Sequence, residues 1–171
     1  MHPPETLTRL DRAAARLSGV DPRFVEPGRS NLAEAAPRAR EPGDVAALEG
    51  GLVVADGTVR PAGPAAYGAD PALARAVLTI VRFERALRAV ASLRPLDHLA
   101  RQLEFHLREV AVVDPKQAPP GIPSMDWAIA RVSADGVPDA ILVEGEALLL
   151  FGGTAEEVAD EILILSSHAS I

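Results

Sequence analysis

The chain has 171 residues, an apolar fraction of 48%, an aromatic fraction of 4% and a formal net charge of −7. This length fits one domain with an appendage, and the apolar fraction excludes a wholly disordered chain. Because the sequence has no cysteine, disulfides, thiolate metal sites and cysteine nucleophiles are excluded. Neither a signal-peptide core nor an apolar run near the ~18 residues of a membrane span is visible, so we expect a cytoplasmic protein without membrane association.

The negative charge is concentrated in the C-terminal part of the chain. Residues 70–112 contain seven Arg and five acids, a balance of +2, whereas residues 114–171 contain ten acids against Lys116 and Arg131, a balance of −8. An acidic surface of this kind repels nucleic acid and anionic lipid. We therefore expect no nucleic-acid partner.

Residues 1–45 are predicted to form an N-terminal helix followed by an extended arm. Over residues 5–18 the apolar side chains fall on one helical stripe, which Gly19 ends. The stretch to about Asp44 is dense in Pro and Gly, with only a brief helical turn near residues 32–36. Residues 46–171 are predicted to form the folded domain.

A β-hairpin is predicted over residues 52–60. Apolar residues stand on both sides of Asp56-Gly57, and this dipeptide supplies the positive φ angles of a type I′ turn. Pro61, Gly63 and Pro64 end the second strand.

Two long helices are predicted next. Asp70 is a suitable N-cap, and apolar residues fall within one helical arc from there to about Leu93. Leu78 and Val81 widen this arc, which predicts burial on more than one side. Pro95 forces a break, and a leucine stripe predicts a second helix over residues 96–110.

The remaining sequence predicts three strands and a final helix. A period of two over residues 127–132, 140–143 and 147–151 predicts an antiparallel meander, and Thr154 to Glu157 forms a capping box that opens a C-terminal helix. The predicted fold class is therefore α+β: a mainly antiparallel sheet, made of the hairpin and the meander, flanked by the helix pair and the C-terminal helix. This order of elements resembles the roadblock/longin and profilin-like family of small regulatory domains, which implies a five-stranded sheet with helices on either face.

One face of the second predicted helix forms a candidate interaction patch: His98, Gln102, Phe105, His106 and Glu109. These side chains share about 100° of the helix surface. They predict a partner-binding patch or a polar pocket that responds to pH through histidine; the alternative is a solvated face with Phe105 covered by another element. The two histidines lie ~12 Å apart along the axis, too far to bind one ion, so no metal site is predicted.

Four arginines lie on one side of the first long predicted helix: Arg75, Arg82, Arg85 and Arg88. Their guanidinium groups suit a phosphate or an acidic partner, which they would contact through forked hydrogen bonds. The alternative is a solvated face neutralised within the chain, since Glu84 and Arg88 have the i,i+4 spacing of a helical ion pair.

Familiar catalytic and cofactor motifs are absent from the sequence. Gly152-Gly153-Thr154 precedes a helix, but Glu156 and Glu157 in the first turn would repel a phosphate. The sequence contains no Gly-x-Ser-x-Gly elbow, no Gly-x-Gly-x-x-Gly, no Walker lysine and no His-Glu-x-x-His. We therefore predict no catalytic residue and no cofactor.

The function favoured by these observations is a non-enzymatic, cytoplasmic protein–protein interaction module: an adaptor, regulator or assembly factor. The predicted helices carry more apolar surface than a small sheet covers, so a protein partner or a homodimer is expected to cover the rest. One alternative is a small-ligand-binding protein or enzyme with a pocket lined by His and Glu between the second helix and the sheet. Another is a subunit that folds stably only within a larger complex.

Overall fold

The computed structural model describes residues 2–106 and 108–169, with side chains up to Ser167. Leu107, inside the second predicted helix, lies outside the described residues. The helices are α1 (Pro4–Arg16), α2 (Pro71–Phe83), α3 (Asp97–Phe105), α4 (Ser124–Ser133) and α5 (Ala155–Ala169). The strands are β1 (Asn31–Ala35), β2 (Val45–Leu48), β3 (Leu52–Ala55), β4 (Thr58–Pro61), β5 (Ala65–Tyr67), β6 (Ala89–Leu93), β7 (Val110–Val113), β8 (Ala140–Val143) and β9 (Ala147–Gly152). Within the described part, no helix has the length and apolar character needed to cross a membrane.

A seven-stranded sheet has the order β5-β2-β1-β6-β9-β8-β7. Its neighbours pair antiparallel except β7 and β8, which are parallel and are connected through α4, as parallel strands require a crossover. β3 and β4 form a separate two-stranded sheet. Asp56 and Gly57 join them with φ angles of 52° and 74°, which confirms the predicted hairpin with its left-handed turn residues.

Helices cover both faces of the large sheet and give the molecule three layers. One face packs against α1, α3 and α5, and the other packs against α2 and α4. Leu148 belongs to the first core and Leu149 to the second, because consecutive side chains of a strand point to opposite faces. The central strands are therefore buried on both sides.

The predicted fold class, α+β with a small, mainly antiparallel sheet of hairpin and meander, is wrong about the sheet. The sheet has seven strands, mixes antiparallel with parallel pairs and is covered on both faces. It also exceeds the five strands implied by the resemblance to roadblock/longin domains. Strands buried on both faces carry continuous apolar runs, which periodicity does not distinguish from buried helix.

The first long helix is shorter than the sequence predicts. α2 ends at Phe83, and β6 follows as a central strand with all of its residues except Ser92 buried. Residues 84–88 contain neither Gly nor Pro, so no local signal separates the helix from the strand. The apolar helical arc predicted from Asp70 extended to about Leu93 because β6 is itself rich in apolar residues.

The predicted meander is also corrected in its first strand. Residues 127–132 lie within α4. The strand on the other side of β8 from β9 is β7, and only its first residue, Val110, fell within the second predicted helix. That helix, α3, ends at Phe105. The other two predicted strands are confirmed as β8 and β9, an antiparallel pair.

Residues 2–45, assigned from sequence to a helix and an extended arm, lie within the three-layer fold. α1 is confirmed as a helix and packs on the sheet with Leu10, Ala13 and Ala14 buried. β1 replaces the predicted helical turn and is buried along its whole length. Asn, Ala and Glu have low intrinsic strand propensity, so burial between helices determines this strand.

The predicted helix starts are confirmed by their caps. The Asp70 carboxylate accepts a hydrogen bond from the N–H of Leu73 at 3.0 Å. The Thr154 hydroxyl accepts one from the N–H of Glu157 at 3.2 Å, and the Glu157 carboxylate accepts one from the N–H of Gly153 at 3.0 Å. Such caps depend on neighbouring residues alone, which is why the sequence reveals them.

A buried carboxylate joins α1, β1 and α5. Glu34 is 1% exposed and accepts hydrogen bonds from Nη2 and Nε of Arg9, at 2.6 and 3.1 Å, and from the N–H of Ala155 at 2.8 Å. The bond to Glu34 raises the pKa of Arg9 above its ordinary value. Because a buried carboxylate without a partner is strongly unfavourable, the position of α1 depends on this pair.

Asp44 holds the loop between β1 and β2. Its carboxylate accepts hydrogen bonds from the N–H groups of Arg40 and Glu41 at 2.9 and 3.1 Å, and Nε2 of His2 lies 2.6 Å from Oδ1. The bond from the Arg40 N–H, followed by that from the His2 side chain, lowers the pKa of Asp44 to about 2. The loop is therefore fixed by an ionised carboxylate.

We predict that Arg9→Met lowers the free energy of unfolding by about 3 kcal/mol, because it leaves Glu34 buried without its cation. Urea denaturation measures this loss. The matched control is Arg12→Met, since Arg12 contacts Glu156 at 3.8 Å and is 65% exposed; this change should cost less than about 0.5 kcal/mol. Adding Glu34→Gln should recover part of the Arg9→Met loss. Equal losses for the two single variants would refute the role of the pair.

We predict that the Asp44 carboxyl titrates near pH 2, which a pH series of its carboxyl carbon chemical shift measures. A lowered folded-state pKa stabilises the fold at pH values above the unfolded value near 4; this contribution is lost as the pH falls through the folded value of about 2. His2→Ala should raise the midpoint only part of the way, because the two backbone N–H groups remain. A midpoint near 4 in the unsubstituted chain would contradict the prediction.

Candidate functional site

A cleft of about 270 Å³ lies where several elements begin or end together. The starts of α2, α4, β1 and β9 and the end of β6 surround it. Its volume is close to the lower end of the ~300–1,000 Å³ typical of small-molecule sites. We call it the acidic cleft; it is lined by Glu26, Gly28, Arg29, Ser30, Asp70, Ala72, Leu73, Ser92, Leu93, Met125, Glu146 and Ala147.

Three carboxylates and one guanidinium set the charge of the acidic cleft. Arg29 lies 3.6 Å from Glu26 at the surface. Asp70 caps α2, and Glu146 accepts the hydroxyl hydrogen of Ser124 at the start of α4, with oxygen–oxygen distances of 2.6 and 2.7 Å. Three carboxylates against one guanidinium give the lining of the cleft a formal negative charge. This charge suits a cationic or hydrogen-bond-donating ligand.

A buried amide fixes the position of Asp70. Asn31 is 3% exposed, and its Nδ2 donates to Oδ2 of Asp70 at 3.0 Å and to the carbonyl of Leu48 at 3.1 Å. Its Oδ1 accepts from the N–H groups of Leu32 and Leu48 at 2.8 and 3.1 Å. Both donors and both acceptor positions of the amide are thus occupied, so Asp70 is oriented before any ligand binds.

A second cleft, of about 700 Å³, lies at the opposite end of α2. Arg38 and Arg40 come from the loop before β2, and Arg82, Arg85 and Arg88 come from the chain between the last turn of α2 and β6. We call it the arginine cleft; Ala35, Ala36, Pro37, Ala39 and Val81 complete its lining. Since a 13-residue helix is about 20 Å long, the two clefts are separate sites.

Three of the four arginines selected from the sequence therefore meet at the arginine cleft. The fourth, Arg75, lies apart and forms an ion pair with Asp126 at 3.1 Å. Glu84 and Arg88 follow the end of α2, so their spacing does not place them on one helical face. Arg38 and Arg40 were missed because only the fold brings their loop to the end of α2.

The structure does not gather the five residues of the predicted interaction patch into one site. His98 is exposed at the start of α3 and lines a shallow apolar cleft with Val25 and Leu96, and Glu109 lies beyond the end of the helix. Phe105 is 83% exposed, with its ring centroid 5.7 Å from that of His106. Gln102 has a buried Oε1 without a hydrogen-bond partner among the described residues.

The carboxylates of the acidic cleft were not selected as a group from the sequence. Glu26, Asp70 and Glu146 belong to three distant segments, and Asp70 was identified only as a helix cap. One indication of these carboxylates was present in the sequence: Asp70 directly precedes the first long predicted helix, and Glu146 directly precedes the predicted strand over residues 147–151. Among the side chains of residues 2–106 and 108–167, no group of three or more His, Asp or Glu is placed to hold a metal ion.

Comparison with known families gives a match over nearly the whole chain. The family model described as "Thiamine-phosphate synthase ThiN" matches residues 9–164. A curated relative, the bifunctional thiamine biosynthesis protein ThiDN of Methanocaldococcus jannaschii, is 28% identical over 144 residues. The match covers 80% of this chain and 34% of the relative, so the chain spans about a third of that protein's length.

Solved structures share the fold. The C-terminal domain of protein MJ0236 superimposes with a TM-score of 0.88 at 25% identity, covering 99% of this chain and 98% of that one. The C-terminal domain of a phosphomethylpyrimidine kinase gives 0.82 at 25% identity, covering 94% and 98%. A sugar-phosphate aldolase from Thermotoga maritima gives 0.59 at 14% identity, covering 97% and 92%, which shows a shared fold alone.

These matches overturn the function favoured by the sequence, a non-enzymatic protein–protein interaction module. That prediction depended on the absence of familiar catalytic motifs and on apolar helical surface left uncovered. The match to a synthase family favours the alternative, a small-ligand-binding protein or enzyme. The apolar surface of α2 is largely covered by the sheet and α4, because residues 124–133 form a helix and not a strand.

We predict that Asn31→Asp lowers the free energy of unfolding by about 3 kcal/mol at pH 7, because it replaces two donated hydrogen bonds by repulsion from the Leu48 carbonyl and Asp70. Adding Asp70→Asn should recover part of the loss, since the amide at position 70 then donates to the carboxylate at position 31. Chemical denaturation of the four proteins of this double-mutant cycle measures the coupling. Additive losses would show that the two side chains do not interact.

Proposed function

Because the chain belongs to the thiamine-phosphate synthase ThiN family, we propose that it acts in the synthesis of thiamine phosphate and binds this compound and its precursors in the acidic cleft. The observation that carries the proposal is the family match over residues 9–164, which extends from α1 into α5. The preformed cleft at the ends of two helices and three strands supports it. We expect this synthesis to take place in the cytoplasm.

The charge of the cleft fits the chemistry of this product. Thiamine phosphate joins an aminopyrimidine, through a methylene carbon, to the nitrogen of a thiazole ring that carries a phosphate ester. When the thiazole nitrogen attacks the methylene carbon of the activated pyrimidine, the bond from that carbon to its leaving group breaks. The leaving group departs with the electron pair, and the thiazole nitrogen becomes positively charged. Carboxylates fixed near a developing cation lower the energy of the transition state. Glu26, Asp70 and Glu146 are the groups that would supply this field.

Two side chains have more specific roles in the proposal. Asp70 is held by Asn31 and by the cap of α2, so its carboxylate is ready to accept a hydrogen bond from the pyrimidine amino group; a group fixed before binding loses little entropy on binding. Arg29 is 67% exposed and lies 3.6 Å from Glu26; in the proposal its guanidinium exchanges this surface contact for the phosphate ester. Arg–phosphate contacts are strong because two hydrogen bonds form in parallel.

The first experiment is isothermal titration calorimetry with thiamine phosphate, combined with an assay of its formation from thiazole phosphate and a pyrimidine activated at the methylene carbon. The double variant Glu26→Gln, Glu146→Gln removes two charges while it keeps the side-chain shape and the acceptor for Ser124. We expect at least about tenfold weaker binding, which corresponds to about 1.4 kcal/mol, and slower product formation.

The matched control is Glu104→Gln, Asp135→Asn, which removes the same charge from exposed side chains outside the cleft. It should bind thiamine phosphate as the unsubstituted chain does. Equal weakening in both double variants would show a general effect of net charge and would contradict the assignment to the acidic cleft. Binding without product formation in the unsubstituted chain would contradict the synthase activity and leave a ligand-binding protein.

The homodimer expected from the sequence stays a prediction. Phe105, on α3, is the aromatic side chain most relevant to it, because 83% of its surface is exposed in the single chain. A second copy that covered this ring would remove it from water.

A further inference from the structure

We propose that the arginine cleft is a second binding site, for a small anion that carries two or more linked phosphate groups. The inference goes beyond the proposed function and depends on different residues at the other end of α2. Five arginines line this concave surface, and no acidic residue is among its described lining residues.

In the part of the chain that the structure describes, none of the five arginines forms an ion pair with a carboxylate. Among the residues that the structure describes, seven arginines form ion pairs, and none of them lines this cleft: Arg9, Arg12, Arg16, Arg23, Arg29, Arg75 and Arg108. The nearby acids are engaged otherwise, since Glu84 accepts from the N–H of Ala86 and Asp44 accepts from the N–H of Arg40. Five like charges without a counter-charge repel one another, and a bound anion would relieve that repulsion.

Arg38, one of these five arginines, adopts an unfavourable backbone conformation. Arg38 has a φ of 63°, in the left-handed region that favours glycine. It follows Pro37 in a turn closed by a hydrogen bond from the N–H of Ala39 to the carbonyl of Ala36 at 3.1 Å, and the third position of such a type II turn normally holds Gly or Asn. A strained position that carries a guanidinium into a cleft is evidence for a role of that group.

Arg88 is oriented at the base of the cleft. Its Nη2 donates to the carbonyl of Ala35 at 2.7 Å, and the N–H of Ala35 donates to the carbonyl of Arg88 at 2.8 Å. The remaining N–H groups of this guanidinium stay available to a ligand. The site therefore combines one fixed guanidinium with four exposed ones.

The dimensions and chemistry of the cleft favour linked phosphates. About 700 Å³ lies within the range of small-molecule sites, and the small side chains of Ala35, Ala36 and Ala39 leave room between the guanidinium groups. Forked guanidinium donors match phosphate oxygens in pairs. A single phosphate can accept hydrogen bonds from only some of the five arginines, whereas two or three linked phosphates can accept hydrogen bonds from more of them. Nucleic acid fits less well, because no aromatic side chain for base stacking is among the described lining residues.

The test is isothermal titration calorimetry of the full chain with inorganic pyrophosphate at low ionic strength. We expect saturable binding to the unsubstituted chain and at least tenfold weaker binding to Arg82→Ala, Arg85→Ala. The matched control is Arg60→Ala, Arg101→Ala, which removes the same charge from exposed arginines away from the cleft; it should change the affinity less than threefold. Equal weakening in the two double variants would overturn the proposal, as would the absence of saturable binding.

A second variant separates ligand binding from folding. Arg38→Gly removes a guanidinium and also relieves the left-handed backbone, so its melting temperature should be no lower than that of the unsubstituted chain while pyrophosphate binding weakens at least threefold. Unchanged affinity in this variant would overturn the role of Arg38 and of the strained turn. Citrate, an anion without phosphate, should bind at least tenfold more weakly than pyrophosphate; equal affinity would overturn the specificity for phosphate.

The acidic cleft provides an internal comparison. Glu26→Gln, Glu146→Gln should keep the pyrophosphate affinity of the unsubstituted chain, because its changes lie at the other end of α2. Tighter pyrophosphate binding in this variant would place the anion in the acidic cleft, because the loss of two carboxylates there removes repulsion, and it would overturn the proposal. Thiamine phosphate binding is measured separately, so failure of the arginine cleft and failure of the proposed function give different results.

Discussion

Burial of the seven-stranded sheet on both faces is the constraint on which the rest of the molecule depends. Helices exclude water from both surfaces, so the strand interiors are apolar and their backbone groups pair within the sheet. Few polar side chains are accommodated there, and Glu34 is buried only because Arg9 and the start of α5 satisfy its carboxylate. Polar groups that can meet a ligand are therefore concentrated at the ends of strands and helices, where both clefts lie.

The two clefts differ in sign, and α2 gives a physical reason. A helix dipole favours negative charge near its N-terminus and positive charge near its C-terminus. Asp70 lies at the start of α2 beside the acidic cleft, and Arg82 lies in its last turn beside the arginine cleft. The same helix thus stabilises a carboxylate at one end and a guanidinium at the other. These opposite charges are the physical basis of the two proposed binding sites.

The function favoured by the sequence is wrong because it depended on familiar motifs and on apparent excess apolar surface. The carboxylates of the acidic cleft form no motif, since Glu26, Asp70 and Glu146 come from segments far apart in the chain. The apolar surface was overestimated because α4, which covers α2 on one face of the sheet, was predicted as a strand. The arginines were identified in part: Arg82, Arg85 and Arg88 were selected together, whereas the two arginines before β2 were not.

The sequence by itself determined the features that depend on near neighbours: the cap of α2 by Asp70, the Asp56-Gly57 turn, the hairpin it closes, and the start of α5. Only the tertiary structure decided that β1 and β6 are central strands, that residues 124–133 form a helix, and which charged side chains meet. The physical reason is the range of the forces involved. A cap or turn forms within four residues, so its residues identify it. Burial on two faces and pairing with distant strands override local propensity. They also favour continuous apolar runs, which periodicity cannot assign to a helix or to a strand.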